Sequence, residues 1–162
     1  MLFEASRMRE LLDEVLLAIG APSDLNITIE VDEELAQPMI ASYVDLDDGR
    51  ISLWYSGGNF EDTLKARVLD EERALRELGV GILRGMDRLS PEFAGAPRDN
   101  KLSDGQRVLW EVTAEGRCVR AGIPTREARL RYVYRLACGF SDTADAAYEK
   151  AWSGGFSTWE SI

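Results

Sequence analysis

The sequence contains no histidine among its 162 residues. Histidine supplies the general base of most serine and cysteine hydrolases and is the commonest nitrogen ligand of protein-bound metals. Its absence excludes imidazole-dependent catalysis and histidine-ligated metal sites. We find no catalytic or cofactor-binding motif of another kind, and therefore predict no catalytic residue, no metal site and no cofactor.

Cysteine and long apolar runs are also scarce. The two cysteines, Cys118 and Cys138, lack the close spacing of metal ligands, which favours small core residues over a disulfide or a nucleophile. No apolar run approaches the roughly 20 residues that cross a bilayer. We therefore expect no membrane partner.

The first residues do not resemble a secretory signal, because Glu4, Glu10 and Asp13 stand where such a signal is basic. We therefore expect a cytosolic protein. The length suits a single domain over residues 1–162, with the proline- and glycine-containing stretch 90–102 as a loop or an internal hinge.

Hydrophobic periodicity predicts the first two elements. Apolar residues at helical spacing predict an amphipathic helix over 3–19, ended by Gly20 and Pro22. Apolar and polar residues then alternate from Leu25 to Asp32, which is typical of a strand with one buried face.

The segment from Val44 to Trp54, VDLDDGRISLW, contains three carboxylates and a glycine within five residues. A calcium loop that began at Asp45 would need its glycine at position 6, but Gly49 falls at position 5. Asp48-Gly49 instead suits a two-residue type I′ turn. The segment therefore predicts an antiparallel hairpin, in which Asp47 faces Arg50 and Tyr43 faces Trp54.

Helical patterns dominate the remainder of the chain. Leu64 to Leu89 predicts a long helix whose glycines would kink it, split it or admit a neighbouring element. Ser103 and Gln106 form a capping box for a helix that ends near Ala121, and Thr125 is the expected cap of the next helix. The predicted fold is α+β: an N-terminal helix, an antiparallel sheet of about three strands, and C-terminal helices packed on one face of that sheet.

Charge is the feature of the sequence that bears most on function. The net charge is −10, and the segment from Glu10 to Gly49 contains eleven acidic residues and no basic one. The polar face of the predicted sheet would combine carboxylates with two aromatic side chains, as protein interfaces often do. The alternative is a solvated face that keeps the protein soluble, or aromatics that another element covers. The candidate partner-binding residues are Glu30, Asp32, Tyr43, Asp45, Asp47 and Trp54.

These features predict a small cytosolic binding module that inhibits a basic protein such as a bacterial toxin. In size, acidity and lack of catalytic motifs the chain is similar in character to bacterial immunity proteins, although no residue signature of such a family is present. Two alternatives stay open. One is an enzyme that uses paired carboxylates, of the glycoside hydrolase or transferase type.

The other alternative is a nucleic-acid-associated regulator that acts through arginine-rich helices. Six arginines fall on two consecutive predicted helices: Arg117, Arg120, Arg126, Arg129, Arg131 and Arg135. A chain with an isoelectric point of about 4.6 lacks the basic footprint expected of a nucleic-acid-binding protein. We therefore expect these arginines to pair with the protein's own carboxylates.

Overall fold

The computed structural model describes residues 3–38, 40–45, 49–65 and 67–162, with residues 40–45 described by their backbone alone. The fold is mixed α+β. Its helices and strands are α1 (Ala5–Ala18), β1 (Asn26–Asp32), β2 (Ile40–Asp45), β3 (Arg50–Ser56), α2 (Glu71–Leu89), α3 (Asp104–Arg120), α4 (Glu127–Cys138) and α5 (Asp142–Trp152). Within these described ranges, no helix is both long enough and apolar enough to cross a membrane.

The sheet is mixed, and the expectation of a wholly antiparallel sheet is wrong. The strand order is β1-β3-β2, in which β3 pairs with β2 antiparallel and with β1 parallel. The alternation of apolar and polar residues shows which face of a strand is buried but carries no information on strand direction. The stretch after β1 carries the chain past β3, so that β2 lies on the far side of β3.

The register of the hairpin also differs from the prediction. Asp45 pairs with Arg50 and Tyr43 pairs with Ser52, so four residues, 46–49, connect β2 to β3 instead of two. Asp47 and Asp48 lie outside the described residues. Gly49 has a φ of 65°, a left-handed conformation that favours glycine. Because side chains alternate with a period of two, a shift of two positions leaves the residues of β3 on their predicted faces.

The main core lies between the inner face of the sheet and helices α1 and α2. Ile51, Leu53 and Tyr55 of β3 are buried against residues of both helices, including Val15 and Leu78. β1 contributes partly buried isoleucines and a valine to the same cluster. The α1 helix therefore matches the amphipathic helix predicted from its spacing.

The α2 glycines admit neighbouring elements, which was one of the three predicted outcomes. A Cβ atom on Gly81 would lie 2.1 Å from the Tyr55 hydroxyl, and a Cβ on Gly85 would lie 2.5 Å from Ile51 Cγ2. Because Gly81 has no side chain, the Tyr55 hydroxyl can reach α2, where it donates a hydrogen bond to the carbonyl oxygen of Glu77 at 2.9 Å. The helix runs unbroken from Glu71 to Leu89.

The predicted start of the α2 helix was too early. The helix begins at Glu71, where the Asp70 carboxylate caps it by accepting a hydrogen bond from the Arg73 backbone N–H at 3.0 Å. Leu64, which the prediction placed inside the helix, is 91% exposed in the preceding loop. An aspartate N-cap followed by two glutamates is a helix-start signal that outweighs the apolar spacing of the residues before it.

The C-terminal helices form a second layer. The capping box of Ser103 and Gln106 is present at the start of α3, as predicted. α4 begins one residue later than predicted, with Arg126 at its N-cap, and Thr125 does not cap it. α5, which was not predicted, is capped by Ser141. α4 and α5 pack against α3 around a separate cluster that includes Tyr148.

The segment 90–102 contains two short 3₁₀ helices, Pro91–Phe93 and Asp99–Lys101, and is tied to α2 by charge. Asp99 accepts hydrogen bonds from Arg84 at 2.8 Å and from Arg88 at 2.6 Å. Both guanidinium groups lie over the ring of Trp110, at 4.7 and 4.8 Å from its centroid. These contacts anchor the segment on the surface of α2 and α3.

Candidate functional site

The outer face of the sheet brings together two of the predicted site residues. Glu30 of β1 and Trp54 of β3 are register partners, so they are neighbours on the same face of the parallel pair. Glu30 is exposed and Trp54 is half-buried. Among the described residues, Trp54 does not belong to any of the three hydrophobic clusters, which distinguishes it from the buried Tyr55 next to it.

The other predicted site residues are placed less completely. Asp32 is half-buried at the end of β1, and its carboxylate accepts a hydrogen bond from the Glu34 backbone N–H at 3.0 Å. Asp32 therefore shapes the turn after the strand. Tyr43 and Asp45 are register partners of Ser52 and Arg50, while Asp47 lies outside the described residues. Arg50 thus interrupts the acidic face at its hairpin end.

The predicted self-pairing of the arginine-rich helices is confirmed for four of the six arginines. Arg117 bonds Asp87 at 2.5 Å, Arg126 bonds Asp70 at 3.1 Å, Arg131 bonds Glu127 and Glu149, and Arg135 bonds Asp145. Arg120 donates instead to the carbonyl oxygen of Trp152 at 2.6 Å. The sixth, Arg129, is exposed and makes no ion pair with any residue in the described part of the chain.

Arg129 borders a polar cleft that the sequence did not reveal. The cleft has a volume of about 240 Å³ and lies where α2, α3 and α4 meet. Each helix contributes residues three or four positions apart, which places them on one helical face. Its charged lining residues, named here the cleft cluster, are Arg73, Arg76, Glu77, Glu111, Glu115 and Arg129.

Only part of the cleft cluster is paired internally. Glu77 bonds Arg76 through one carboxylate oxygen and accepts from the Asn59 side-chain amide, at 3.2 Å, through the other. Arg76 also lies 3.9 Å from Glu115 Oε1. Arg73 donates to the carbonyl oxygen of Glu61 at 3.0 Å. These bonds hold the α2 side of the cleft in a defined shape.

Two buried atoms in the walls of the cleft have no hydrogen-bond partner in the described structure: Arg73 Nε and Glu115 Oε2. Arg73 is 6% exposed and Glu115 is 2% exposed. Burial raises the pKa of Glu115 to about 7, against the attraction of Arg76. Burial also raises the pKa of Glu111 above its usual value, and repulsion from Glu77 adds to that effect.

Neither surface has the composition of a metal centre. In the parts of the chain that the structure describes, no group of three or more Cys, Asp or Glu side chains is arranged to hold a metal ion. Cys118 is buried, and burial raises the pKa of its thiol to about 12, so the thiolate is not populated at neutral pH. The chain matches no protein-family model, no curated protein and no solved structure in the three comparisons.

Sequence reasoning missed the cleft because its residues are far apart in the chain. Arg73, Glu115 and Arg129 belong to three helices that only the tertiary fold brings together. One local signal was available: Glu111 and Glu115, four residues apart, lie on a helix that was correctly predicted. Two carboxylates on one face of a core-facing helix indicate a buried polar group that requires partners.

Proposed function

We propose that this protein is a binding module whose working surface is the outer face of the sheet, and that its partner is a basic protein such as a toxin that it inhibits. The observation that supports the proposal most is the placement of Trp54 beside Glu30 on this face. An aromatic side chain next to a carboxylate offers contact area and charge at the same place.

The state of Trp54 also supports this role. A tryptophan that stabilises the fold is usually packed into a hydrophobic cluster, as Trp110 is in this protein. Trp54 is half-buried and, among the described residues, lies outside the hydrophobic clusters. Removing it should therefore affect binding more than folding.

The distribution of charge supports a basic partner. The segment from Glu10 to Gly49 contains eleven acidic residues and no basic one, and Glu30, Asp32 and Asp45 of this segment belong to β1 and β2. An extended acidic surface speeds association with a cationic protein, and that acceleration decreases as salt screens it over about 10 Å at 0.1 M. Charge and tryptophan would then act on different steps, the charge on association and the tryptophan on dissociation.

The experiment is a crosslinking capture of partners from the source cells, followed by surface plasmon resonance with the purified partner. Trp54→Ala should raise the dissociation rate and weaken affinity by about 2 kcal/mol or more, with an unchanged urea midpoint. Glu30→Arg should mainly slow association. Glu14→Arg, an identical charge change at an exposed position of α1, is the matched control and should slow association less.

Two results would contradict the proposal. One is a large loss of stability in Trp54→Ala, which would make this side chain a structural one. The other is a crosslinked footprint on the exposed apolar side chains of Tyr132 and Leu136 on α4 and of Phe140 just after it, instead of on the sheet. An association rate that does not respond to salt would remove the role assigned to the acidic face.

A further inference from the structure

Some polar groups that line the cleft between α2, α3 and α4 make no hydrogen bond with the described residues. Among the residues that the structure describes, Arg73 Nε–H is a donor without an acceptor, and Glu115 Oε2 has no hydrogen-bond partner either. The Arg129 side chain, at the rim, makes no ion pair or hydrogen bond within the described part of the chain. Three polar groups on three different helices therefore line one cleft without partners among the described residues.

Unused polar groups of this kind require an explanation, because a buried unsatisfied group destabilises a protein by about 1–3 kcal/mol. A bound molecule that supplied the missing partners would remove this penalty. The cleft measures about 240 Å³. Because drug-sized ligands occupy pockets of roughly 300–1,000 Å³, the cleft suits a smaller molecule.

We propose that this cleft binds a small organic anion that carries a hydroxyl or amino group beside its carboxylate or phosphate. The oxyanion would accept hydrogen bonds from the guanidinium groups of Arg73 and Arg129. The neighbouring hydroxyl or amino group would bond Glu115. Asn59 also lines the cleft, and its side-chain amide donates a hydrogen bond to Glu77. The NMR signals of this uncharged amide can therefore report whether a ligand occupies the cleft.

The charges in the cleft favour an anion over a cation. Three guanidinium groups line it, and the only carboxylate that is fully engaged is Glu77, which bonds Arg76 and Asn59. Burial raises the pKa of Glu115 to about 7, which leaves part of the population of this group uncharged near neutral pH, and burial also raises the pKa of Glu111 above its usual value. The guanidinium charge is then in excess, and arginine is well suited to hold carboxylates and phosphates through two parallel hydrogen bonds.

The test is a titration of the ¹⁵N-labelled protein with three probes that have the proposed chemistry: D-gluconate, D-glucose 6-phosphate and L-glutamate. D-Glucose, which has hydroxyl groups but no anionic group, is the control ligand. At least one anionic probe should bind with a dissociation constant below about 1 mM, equivalent to about −4 kcal/mol. Binding should shift the Asn59 side-chain amide signals, and D-glucose should leave them unchanged.

Variants separate binding in the cleft from general attraction of anions. Arg129→Ala should weaken binding roughly tenfold, as expected for the loss of one charge-assisted hydrogen bond. Arg107→Ala removes the same charge from an exposed position of α3 outside the cleft and should leave the affinity unchanged. Arg129→Lys keeps the charge but removes the forked donors, so it should also bind more weakly than the wild type.

The proposal is overturned if none of the three anionic probes shifts the Asn59 signals, or if D-glucose binds as tightly as they do. It is also overturned if Arg107→Ala weakens binding as much as Arg129→Ala, because the effect would then come from net charge. These outcomes test only the cleft. The function proposed for the outer face of the sheet is tested separately, by the partner-binding experiment.

Discussion

Two clusters of mostly buried charged residues include side chains of both α2 and α3, and they are built differently. The first, named here the Trp110 cluster, consists of Trp110, Arg84, Arg88, Arg117, Asp87 and Asp99. In it Asp87 accepts from Trp110 Nε1 at 2.9 Å and from Arg117 at 2.5 Å, so both of its carboxylate oxygens are bonded. The second is the cleft cluster, in which Glu115 Oε2 has no bond in the described structure.

The difference indicates different roles for the two clusters. In the Trp110 cluster Asp87 and Asp99 accept hydrogen bonds from arginines or from Trp110, and Arg84 and Arg88 lie over a fully buried ring, while the Nε atoms of these two arginines have no hydrogen-bond partner among the described residues. Bonded carboxylates of this kind are typical of a network that fixes helices and a loop together. The cleft cluster retains a buried carboxylate with a raised pKa beside an open space. Such groups are more frequent at functional sites than in structural networks.

Trp110→Ala should have the largest effect on stability. The substitution removes a fully buried aromatic ring together with the surface over which Arg84 and Arg88 lie. We expect a loss of about 4 kcal/mol in the free energy of unfolding, measured by urea denaturation, as is typical of tryptophan-to-alanine changes in a core. Tyr132→Ala, at a 58% exposed position, is the control and should change stability by well under 1 kcal/mol.

Glu115→Gln should stabilise the protein at pH 8. The pKa of Glu115 is about 7 in the folded protein and near 4.3 in an unfolded chain. Below about pH 3.3, one unit under the pKa of the unfolded chain, the carboxyl is mostly protonated in both states and has little effect on stability. As pH rises towards 7 the unfolded state loses its proton first, so stability falls; the full penalty, on the order of 3 kcal/mol, is present above pH 7.

The measurement for Glu115→Gln is the free energy of unfolding at pH 5 and pH 8, compared with the wild type. The neighbouring charges that face Glu115 are Arg76 and Glu77 on α2, Glu111 on α3 and Arg129 on α4. The difference between variant and wild type should grow with pH. A difference that is the same at both pH values would mean that Glu115 is ionised throughout and that its carboxylate is as fully bonded as that of Asp87.

The same carboxylate-to-amide change in the Trp110 cluster should have the opposite sign. Asp87→Asn keeps the shape of the side chain but removes the negative charge to which Trp110 and Arg117 donate. One of the two carboxylate oxygens becomes an NH₂ donor, so the amide can no longer accept a hydrogen bond at each of these two positions. We expect a loss of about 2 kcal/mol in the free energy of unfolding at pH 8. If Asp87→Asn stabilised the protein instead, the contrast between the two clusters would disappear.

Local signals in the sequence predicted the local parts of this fold. The spacing of Leu11 and Val15 predicted α1, the capping box of Ser103 and Gln106 predicted the start of α3, and the alternation ending at Asp32 predicted β1. Each of these features depends only on residues that are close together in the chain, within one or two helical turns or within a single strand. Sequence periodicity contains that information directly.

Features that depend on pairing between distant segments were not predicted correctly. The parallel alignment of Glu30 with Trp54 requires β2 to pass to the far side of β3, and nothing in the strand patterns specifies that path. The cleft depends on Arg73 and Arg129 being brought to one place from helices separated by the whole of α3. The acidic residues of the proposed binding face could be chosen from the sequence because they belong to one continuous segment, and their role stays a prediction.

Arg129→Ala should have the smallest effect on stability, because this exposed side chain makes no ion pair within the described structure. We expect a change of less than about 0.5 kcal/mol in the free energy of unfolding. Arg135→Ala is the matched control: it is on the same helix, and its guanidinium bonds Asp145 at 2.8 and 2.6 Å. The ion pair between Arg135 and Asp145 should make the loss of stability in Arg135→Ala larger than that in Arg129→Ala. An Arg129→Ala loss as large as that of Arg135→Ala would show that Arg129 is held by the fold, and the cleft cluster would then be a structural network like the Trp110 cluster.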